Sequence, residues 1–506
     1  MAHPTIWAIL AHAERRFGAR LAVIEGERRW SYGELARRVR ARAREWRALG
    51  VRPGDRVAIL DWNTLGFLES TFAAAGLGAI LNPLNHRLAV PELAQVLNDS
   101  GARLVLASRS FAALVENLRE RAGATQHWLW SEDEPPDSAE GFEPAAREPG
   151  DVAQLYYTSG TTGKAKGVVL THANVCVHAE WAVRELALSA ADRWGHFAPM
   201  FHLADAWATL ALTQVGGTHV MVPRFEADEA VERIQRDGIT LTNLIPTMLK
   251  RLVESPRAKG ASFASLRLVL SGGAPISPAL VRAVLEVLGC EYAQTYGMTE
   301  TSPYLTIGLL PEHLRRVSAA ELLRLRARTG RPFGGVELEV VDERGQRVPA
   351  DDRTVGEIRV RGATVTPGYW NRPEETAAAI RDGWLYTGDL AVIDAHDLVN
   401  IVDRKKDMIL TGGENVYSTE VENALYEHPA VLEAAVFGVP DETWGECVNA
   451  AVALKEGRSA SARELIDFCR ARIAAYKTPH AIEFLPELPK SGSGKISKLA
   501  LRARRA

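Results

Sequence analysis

At 506 residues the chain is too long for one small core, and at roughly 150 residues per domain it divides into about two to four folding units. Hydrophobic residues make up 46% and charged residues 24%, which excludes extensive disorder. The net charge of -3 leaves no basic surplus for a nucleic-acid backbone, so a small-molecule ligand is the expectation and nucleic acid is not. Cys176, Cys290, Cys447 and Cys469 are scattered without CxxC spacing, which argues against a disulfide framework and structural zinc and fits a reducing compartment.

The N-terminus, MAHPTIWAILAHAERRFG, lacks the basic start and long apolar core of a signal peptide. The longest apolar run, 71–81, is eleven uncharged residues ahead of Asn82-Pro83, short of the roughly 20 that cross a bilayer. A soluble, cytoplasmic protein with no membrane span is expected. Up to about residue 150, helical segments alternate with short apolar strands such as 56–60 and 104–107, the pattern of a mainly parallel sheet covered by helices. The acidic, Pro-containing stretch 131–150 reads as a surface connection.

That connection leads into residues 156–167, YYTSGTTGKAKG. Gly160, Gly163 and Gly167 let the backbone turn close to a ligand; Thr158, Ser159, Thr161 and Thr162 supply hydroxyls, and Lys164 and Lys166 supply charge. Such a loop is a nest for polyphosphate, or else a solvated Gly/Thr turn. It is not a Walker loop, since only two residues separate Gly160 from Gly163 and Ala165 follows Lys164.

Alternation resumes between residues 171 and 304, with strands expected at 195–199, 218–222, 240–245 and 266–270. Ligands on such sheets bind at loops leaving the carboxyl ends of strands, here 200–207, 271–275 and 294–303. The last holds Tyr296-Gly-Met-Thr-Glu-Thr301, a carboxylate and hydroxyls beside a glycine, suited either to magnesium on phosphates or to a plain polar turn. The basic run 310–328 reads as a solvated helix without function.

From about residue 331 the apolar runs 336–341, 355–360 and 384–386, separated by glycine turns, predict a small, mainly antiparallel β unit. Within 386–390, YTGDL, Asp389 could accept both hydroxyls of a ribose or simply close a turn. The charged strip 403–407 is a candidate hinge. An α+β unit of about 100 residues follows, with capping-box spacing at Thr419/Glu422 and Ser461/Glu464 and strands at 434–439 and 449–454. Near the end, 489–498 reads PKSGSGKISK, and Lys495 rides on a Gly/Ser arm that could carry a cation into a site or be a frayed tail.

Taken in order, TSGTTGKAKG, YGMTET, YTGDL, DRKKDMILTGGENV and PKSGSGKISK resemble the motifs of the adenylate-forming superfamily, which includes acyl-CoA synthetases, nonribosomal peptide adenylation domains and luciferases. The resemblance spans essentially the whole chain. It implies an α/β fold: a large N-terminal domain (1–404) of βα-layered sheets plus a small β unit, then a small mobile α+β C-terminal domain (405–506) turning about Lys406.

It also implies an ATP-dependent, AMP-forming ligase that turns a small to medium carboxylic acid into an acyl-adenylate and then an acyl-CoA, using ATP, Mg2+ and CoA. The alternatives are loading of a separate carrier protein and noncatalytic sensing of acyl-nucleotides. Oligomeric state, a homodimer included, stays open.

By that resemblance Thr158, Ser159, Gly160, Thr161, Thr162, Gly163 and Lys164 hold phosphates, Thr299 and Glu300 place phosphate and metal, and Tyr296 and Gly297 meet the adenine beside Gly273, Ala274 and Pro275. Asp389 and Arg404 fix the ribose. Lys495 bridges the substrate carboxylate and the α-phosphate, and Gly412, Gly413, Glu414 and Asn415 line the pantetheine tunnel. His202, Asp205, Trp207 and Tyr304 fall at the acyl pocket, with helix capping expected first of Asp205. The chain departs from the family in Asp403, where glycine is common, and in Ser418, where proline is common, which leaves the local hinge geometry open.

Overall fold

The computed structural model describes residues 3–136, 140–159, 165–490 and 496–504, which form two compact units: 1–338 with 360–385, and 339–359 with 386–506. Residue 404, where the two domains are expected to meet, lies in the second of these units. Strand Val399–Arg404 pairs with residues 389–393, Lys405 joins Glu357 at 3.0 Å, and Asp403 reaches Ser418, so 339–359 and 386–404 cluster with the residues that follow.

The first unit holds two sheets. Six strands run in the order His127–Trp130, Ala102–Ala107, Arg56–Leu60, Ile80–Pro83, Val152–Ser159 and Ala165–Thr171, parallel except for the last, antiparallel pair. Nine strands form the other, with a parallel centre of Glu291–Gly297, Leu268–Ser271, Leu241–Asn243, Arg193–His196, Thr218–Met221 and Leu21–Glu25. The strands expected in this unit are present, with ends shifted by at most three residues; 56–60 is unshifted and 195–199 becomes Arg193–His196. Parallel strands need crossovers, and helices supply them.

Two of those helices explain the most apolar stretches. Leu65–Leu77 is buried on every side, started by Thr64, whose hydroxyl accepts from the Phe67 N–H, and ended by Gly78 at φ 67°. The apolar run 71–81 is thus core helix and strand, consistent with a helix that is hydrophobic all round. Leu203–Val215 is likewise nearly all buried and ends at Gly216, φ 73°. One continuous core holds Trp46, Phe72, Trp194, Trp207 and Leu212.

In the second unit, Gly445–Leu454 is the central strand, antiparallel to Val431–Asp441 and parallel to Ala481–Phe484, with helices Ser418–Tyr426 and Ala462–Arg470 beside it. The Ser461/Glu464 capping box is present. That at Thr419/Glu422 is not: Tyr417 is the N-cap, without a side-chain cap bond, because Glu422 instead accepts from the Val436 N–H (2.8 Å) and pairs with Lys498 (2.8 Å). Asp403 and Ser418, the two departures, meet each other. The Asp403 carboxylate accepts from the Ser418 N–H (2.5 Å) and O–H (3.0 Å), a pair that glycine and proline could not make.

Candidate active site

The two strands flanking the expected phosphate loop pair with each other. Val152–Ser159 and Ala165–Thr171 pair antiparallel as far as Ser159 opposite Ala165, so residues 165–167 belong to the returning strand. Gly160 to Lys164 lie outside the described residues. The returning strand runs into Thr171, whose hydroxyl accepts from the Asn174 N–H while Asn174 Oδ1 accepts from the Thr171 N–H, starting helix His172–Glu185.

A second segment is sewn to that hairpin. The Val169 N–H donates to Gly368 O (3.0 Å), the Trp370 N–H donates to Gly167 O (2.8 Å), and Lys166 Nζ stands 5.3 Å from the centre of the Tyr369 ring. The Tyr369 hydroxyl then donates to Glu300 Oε1 at 3.0 Å, and the Thr366 N–H donates to Glu300 O at 2.8 Å. Burial, with the Glu300 charge behind it, raises the Tyr369 phenol above its ordinary value, so it is a standing donor. The hairpin and the 299–301 turn are thereby one framework. Tyr369 escaped sequence reasoning; its only signal was its place in PGYWN, 69 residues from Glu300.

The residues expected beside adenine come from neighbouring parallel strands, since Ser271 pairs with Gln294 and the loops at Gly273 and Gly297 leave the same ends. Gln294 Nε2 donates to Ala274 O at 3.1 Å and ties those loops together. Gly273 holds φ 81°, a left-handed conformation suited to glycine. Gly297 is required for another reason: a Cβ there would fall 1.9 Å from Pro303 O.

Four residues after Glu300, the Tyr304 hydroxyl accepts from Trp207 Nε1 at 3.0 Å, and the rings lie 5.3 Å apart. His178, unnoticed in the sequence, stacks on Phe333 (5.1 Å) and packs its edge on Trp207 (5.7 Å); its Nε2 accepts from the Tyr304 N–H. Burial pulls His178 down to about 3, so the ring is neutral. His202 is the N-cap residue of helix Leu203–Val215, without a side-chain cap bond, and its ring packs on Phe201 at 4.5 Å. Asp205 does not make the expected helix-capping bond. Its carboxylate is fully buried, accepting from Trp194 Nε1 (3.1 Å) and facing His196 Nδ1 (2.5 Å), because its turn lies against the sheet.

In the second unit Asp389 and Arg404 are partners across two antiparallel strands, with Asp389 Oδ1 3.6 Å from Arg404 Nε, after Gly388 at φ 73°. Gly412 and Gly413, at φ 58° and 83°, turn the hairpin between Ile409–Thr411 and Glu414–Val416, and Glu414 and Asn415 begin its second strand. Lys406 follows the second of the two strands, its ammonium lowered mainly by burial. Lys495 lies outside the described residues.

A strand pair locked to a buried glutamate, in a unit whose glycine loops leave the carboxyl ends of parallel strands, has the layout of a ligand-binding site on an α/β enzyme. The AMP-binding enzyme family matches residues 10–370, and the AMP-binding enzyme C-terminal domain matches 420–495. A feruloyl-CoA synthase of an Amycolatopsis species is 39% identical over 490 residues, covering 96% of this chain and 95% of that one. A 2-succinylbenzoate–CoA ligase of Geobacillus kaustophilus is 37% identical, covering 96% and 94%. The solved o-succinylbenzoate CoA synthetase of Bacillus subtilis, in complex with its acyl-adenylate, superposes with a TM-score of 0.87 at 31% identity, covering 100% and 98%. The chain belongs to the AMP-binding enzyme family and is an AMP-forming ligase of carboxylic acids. Among the described residues no helix is long and apolar enough to cross a membrane.

Proposed function

We propose that this enzyme joins a small to medium carboxylic acid to CoA at the expense of ATP. The observation that carries the reading is the Tyr369–Glu300 bond, which joins the phosphate-loop hairpin to the YGMTET turn. One oxygen of the acid attacks the α-phosphorus and pyrophosphate leaves; the thiol sulfur then attacks the acyl carbon, gives up its proton, and AMP leaves.

In this reading Thr158 to Lys164 hold the phosphates, Tyr296 and Gly297 meet adenine beside Gly273 to Pro275, and Asp389 with Arg404 binds ribose. Lys495 offsets charge that grows at the α-phosphate. Movement about Lys406 brings residues 412–415 in for the second half-reaction. Glu300, with Thr299 beside it, fits magnesium, an ion that takes hard oxygen donors and is held by one or two carboxylates plus substrate phosphates. When bound there it supplies charge neutralisation on the phosphates. Tyr369 holds the carboxylate in one orientation for it.

The acid would lie against Trp207 and Tyr304, and an aromatic wall that includes His178 and Phe333 also favours a second reading, a compact aryl acid. Feruloyl-CoA synthase among the relatives supports it. A fatty acid–[acyl-carrier-protein] ligase of Streptomyces coeruleorubidus, 36% identical, keeps a carrier protein in view as the acceptor.

The test is purified protein with ATP, magnesium, CoA and a panel of aliphatic and aryl acids. AMP, pyrophosphate and one favoured acyl-CoA are expected. Acyl-adenylate accumulating without thioester for every acid would overturn the CoA assignment, and a carrier protein in place of CoA separates the two acceptors. Lys495→Ala should abolish adenylation and largely spare thioester formation from supplied acyl-adenylate.

A further inference from the structure

Beneath the Trp207–Tyr304 wall runs a chain of polar side chains that the chemistry above does not use. Strands Arg193–His196 and Thr218–Met221 are parallel, with Trp194 opposite His219. Trp194, His196 and His219 therefore share one face of the sheet. Helix Leu203–Val215 lies on that face and lowers Asp205 and Thr213, eight residues apart and on one stripe, onto them.

The bonds run in sequence: Thr213 Oγ1 to His219 Nε2 (3.0 Å), His219 Nδ1 to His196 Nε2 (3.0 Å), and His196 Nδ1 to Asp205 Oδ2 (2.5 Å). Trp194 Nε1 fills the other carboxylate oxygen at 3.1 Å. All five side chains are buried. His219 is driven far below the usual histidine range, first by burial and then by His196, so it carries a single proton. With that proton on Nδ1, every bond has a donor: the Thr213 O–H to His219, the His219 N–H to His196, and the His196 N–H to the carboxylate. The Asp205 charge also reaches two phenols outside the chain, Tyr156 and Tyr304, both held protonated by burial.

A buried carboxylate is costly unless paired, so such a network persists where it specifies one arrangement. What it specifies is the tryptophan wall. Asp205 is two residues before Trp207 in the first helical turn, and Trp194, held by Asp205, packs edge-on against Trp207 at 4.9 Å. The helix is pinned from a third direction, where Asn243 Nδ2 donates to Ala204 O at 2.7 Å. The Trp207 indole, itself donating to Ala204 O and to Tyr304, has one position open to it.

We propose that Asp205, His196 and His219 are positioning residues that set acid selectivity by holding Trp207, without touching the acid themselves. This rests on the reading that Trp207 and Tyr304 face the acyl group. A ring displaced by about 1 Å changes rates by up to about a hundredfold in a well-fitted site, and removing one link of a chain anchored at both ends should cost less, about tenfold.

The test measures pyrophosphate release across the acid panel, with the KM for ATP and the melting temperature alongside, for Asp205→Asn, His196→Gln, Trp207→Phe and the double variant Asp205→Asn/Trp207→Phe. Asp205→Asn and His196→Gln should raise the KM of the favoured acid about tenfold and reorder the panel, with the ATP KM within about twofold. The double variant should be no worse than Trp207→Phe alone, because both act through one ring. If Trp207→Phe reorders the panel while Asp205→Asn and His196→Gln leave the order unchanged, or if the effects add, the positioning role is overturned. If Trp207→Phe leaves the order unchanged, the acyl-wall reading itself fails. Should Asp205→Asn not fold, Thr213→Val removes the far end without changing shape; it should move the acid KM about twofold to threefold in the same direction, and no movement overturns the proposal.

Discussion

Replacing Tyr369 by phenylalanine removes one oxygen and isolates the link on which the proposed metal site depends. The ring stays, and with it the packing of Lys166 and the backbone bonds from Val169 and Trp370 that hold the segment to the hairpin. Lost is the donor to Glu300 Oε1 at 3.0 Å. A hydrogen bond to a charged acceptor contributes about 1.5–3 kcal/mol, which corresponds to roughly a tenfold to hundredfold change in an equilibrium constant. Glu300 has further interactions and its backbone is held by Thr366, so the lower end applies. Half-saturating magnesium in ATP–pyrophosphate exchange should therefore rise about tenfold in Tyr369→Phe. Glu300→Gln, which keeps an acceptor for Tyr369 and loses the charge, should cut exchange by more than about a hundredfold. If Tyr369→Phe titrates with magnesium like the parent while Glu300→Gln collapses, Tyr369 does not orient the carboxylate.

Asp61 is buried and pushed up to about 7, chiefly by burial, despite bonds from Thr64 and Trp62. A raised carboxyl favours the folded state below its unfolded value near 3.8 and withdraws that stability as pH climbs through 7, by at most about 4 kcal/mol at 1.36 kcal/mol per unit. Asp61→Asn should melt higher than the parent at pH 8 and gain less at pH 5; a gain independent of pH would refute this. Asp403→Gly and Ser418→Pro each strand a buried partner, so each should destabilise, by about 1–3 kcal/mol, and the double variant should lose less than their sum. Denaturant midpoints that add within about 0.5 kcal/mol would show that the two residues are not coupled. Gly297→Ala places a methyl on the Pro303 carbonyl and should raise the ATP KM at least about tenfold, read by exchange kinetics; an unchanged KM would mean the turn can yield.

Periodicity and glycine placement were enough to locate the parallel strands and the loops at their carboxyl ends, because those signals are local in the chain. The same holds for the Ser461 capping box, where the four residues 461–464 contain the whole interaction. Motif order carried the class of reaction: YYTSGTTGKAKG and YGMTET could each be a plain turn, and only their succession along the chain with the later motifs resembled an adenylate-forming enzyme. At Thr419 and Glu422 the local rule failed, because Lys498 and the Val436 amide, distant in sequence, compete better for the carboxylate.

Tertiary structure alone decided what pairs across long separations. Nothing in its neighbours announces that Tyr369 reaches Glu300, that Asp403 takes the amide of Ser418, or that Asp205 leaves its helix end for Trp194 and His196. Helical and strand periods tell which face a side chain occupies, but the partner on that face is chosen by how elements stack, and a buried carboxylate goes to whichever donors the stacking delivers. Residue types and their order in the chain determined the class of reaction; the fold determined which distant side chains meet.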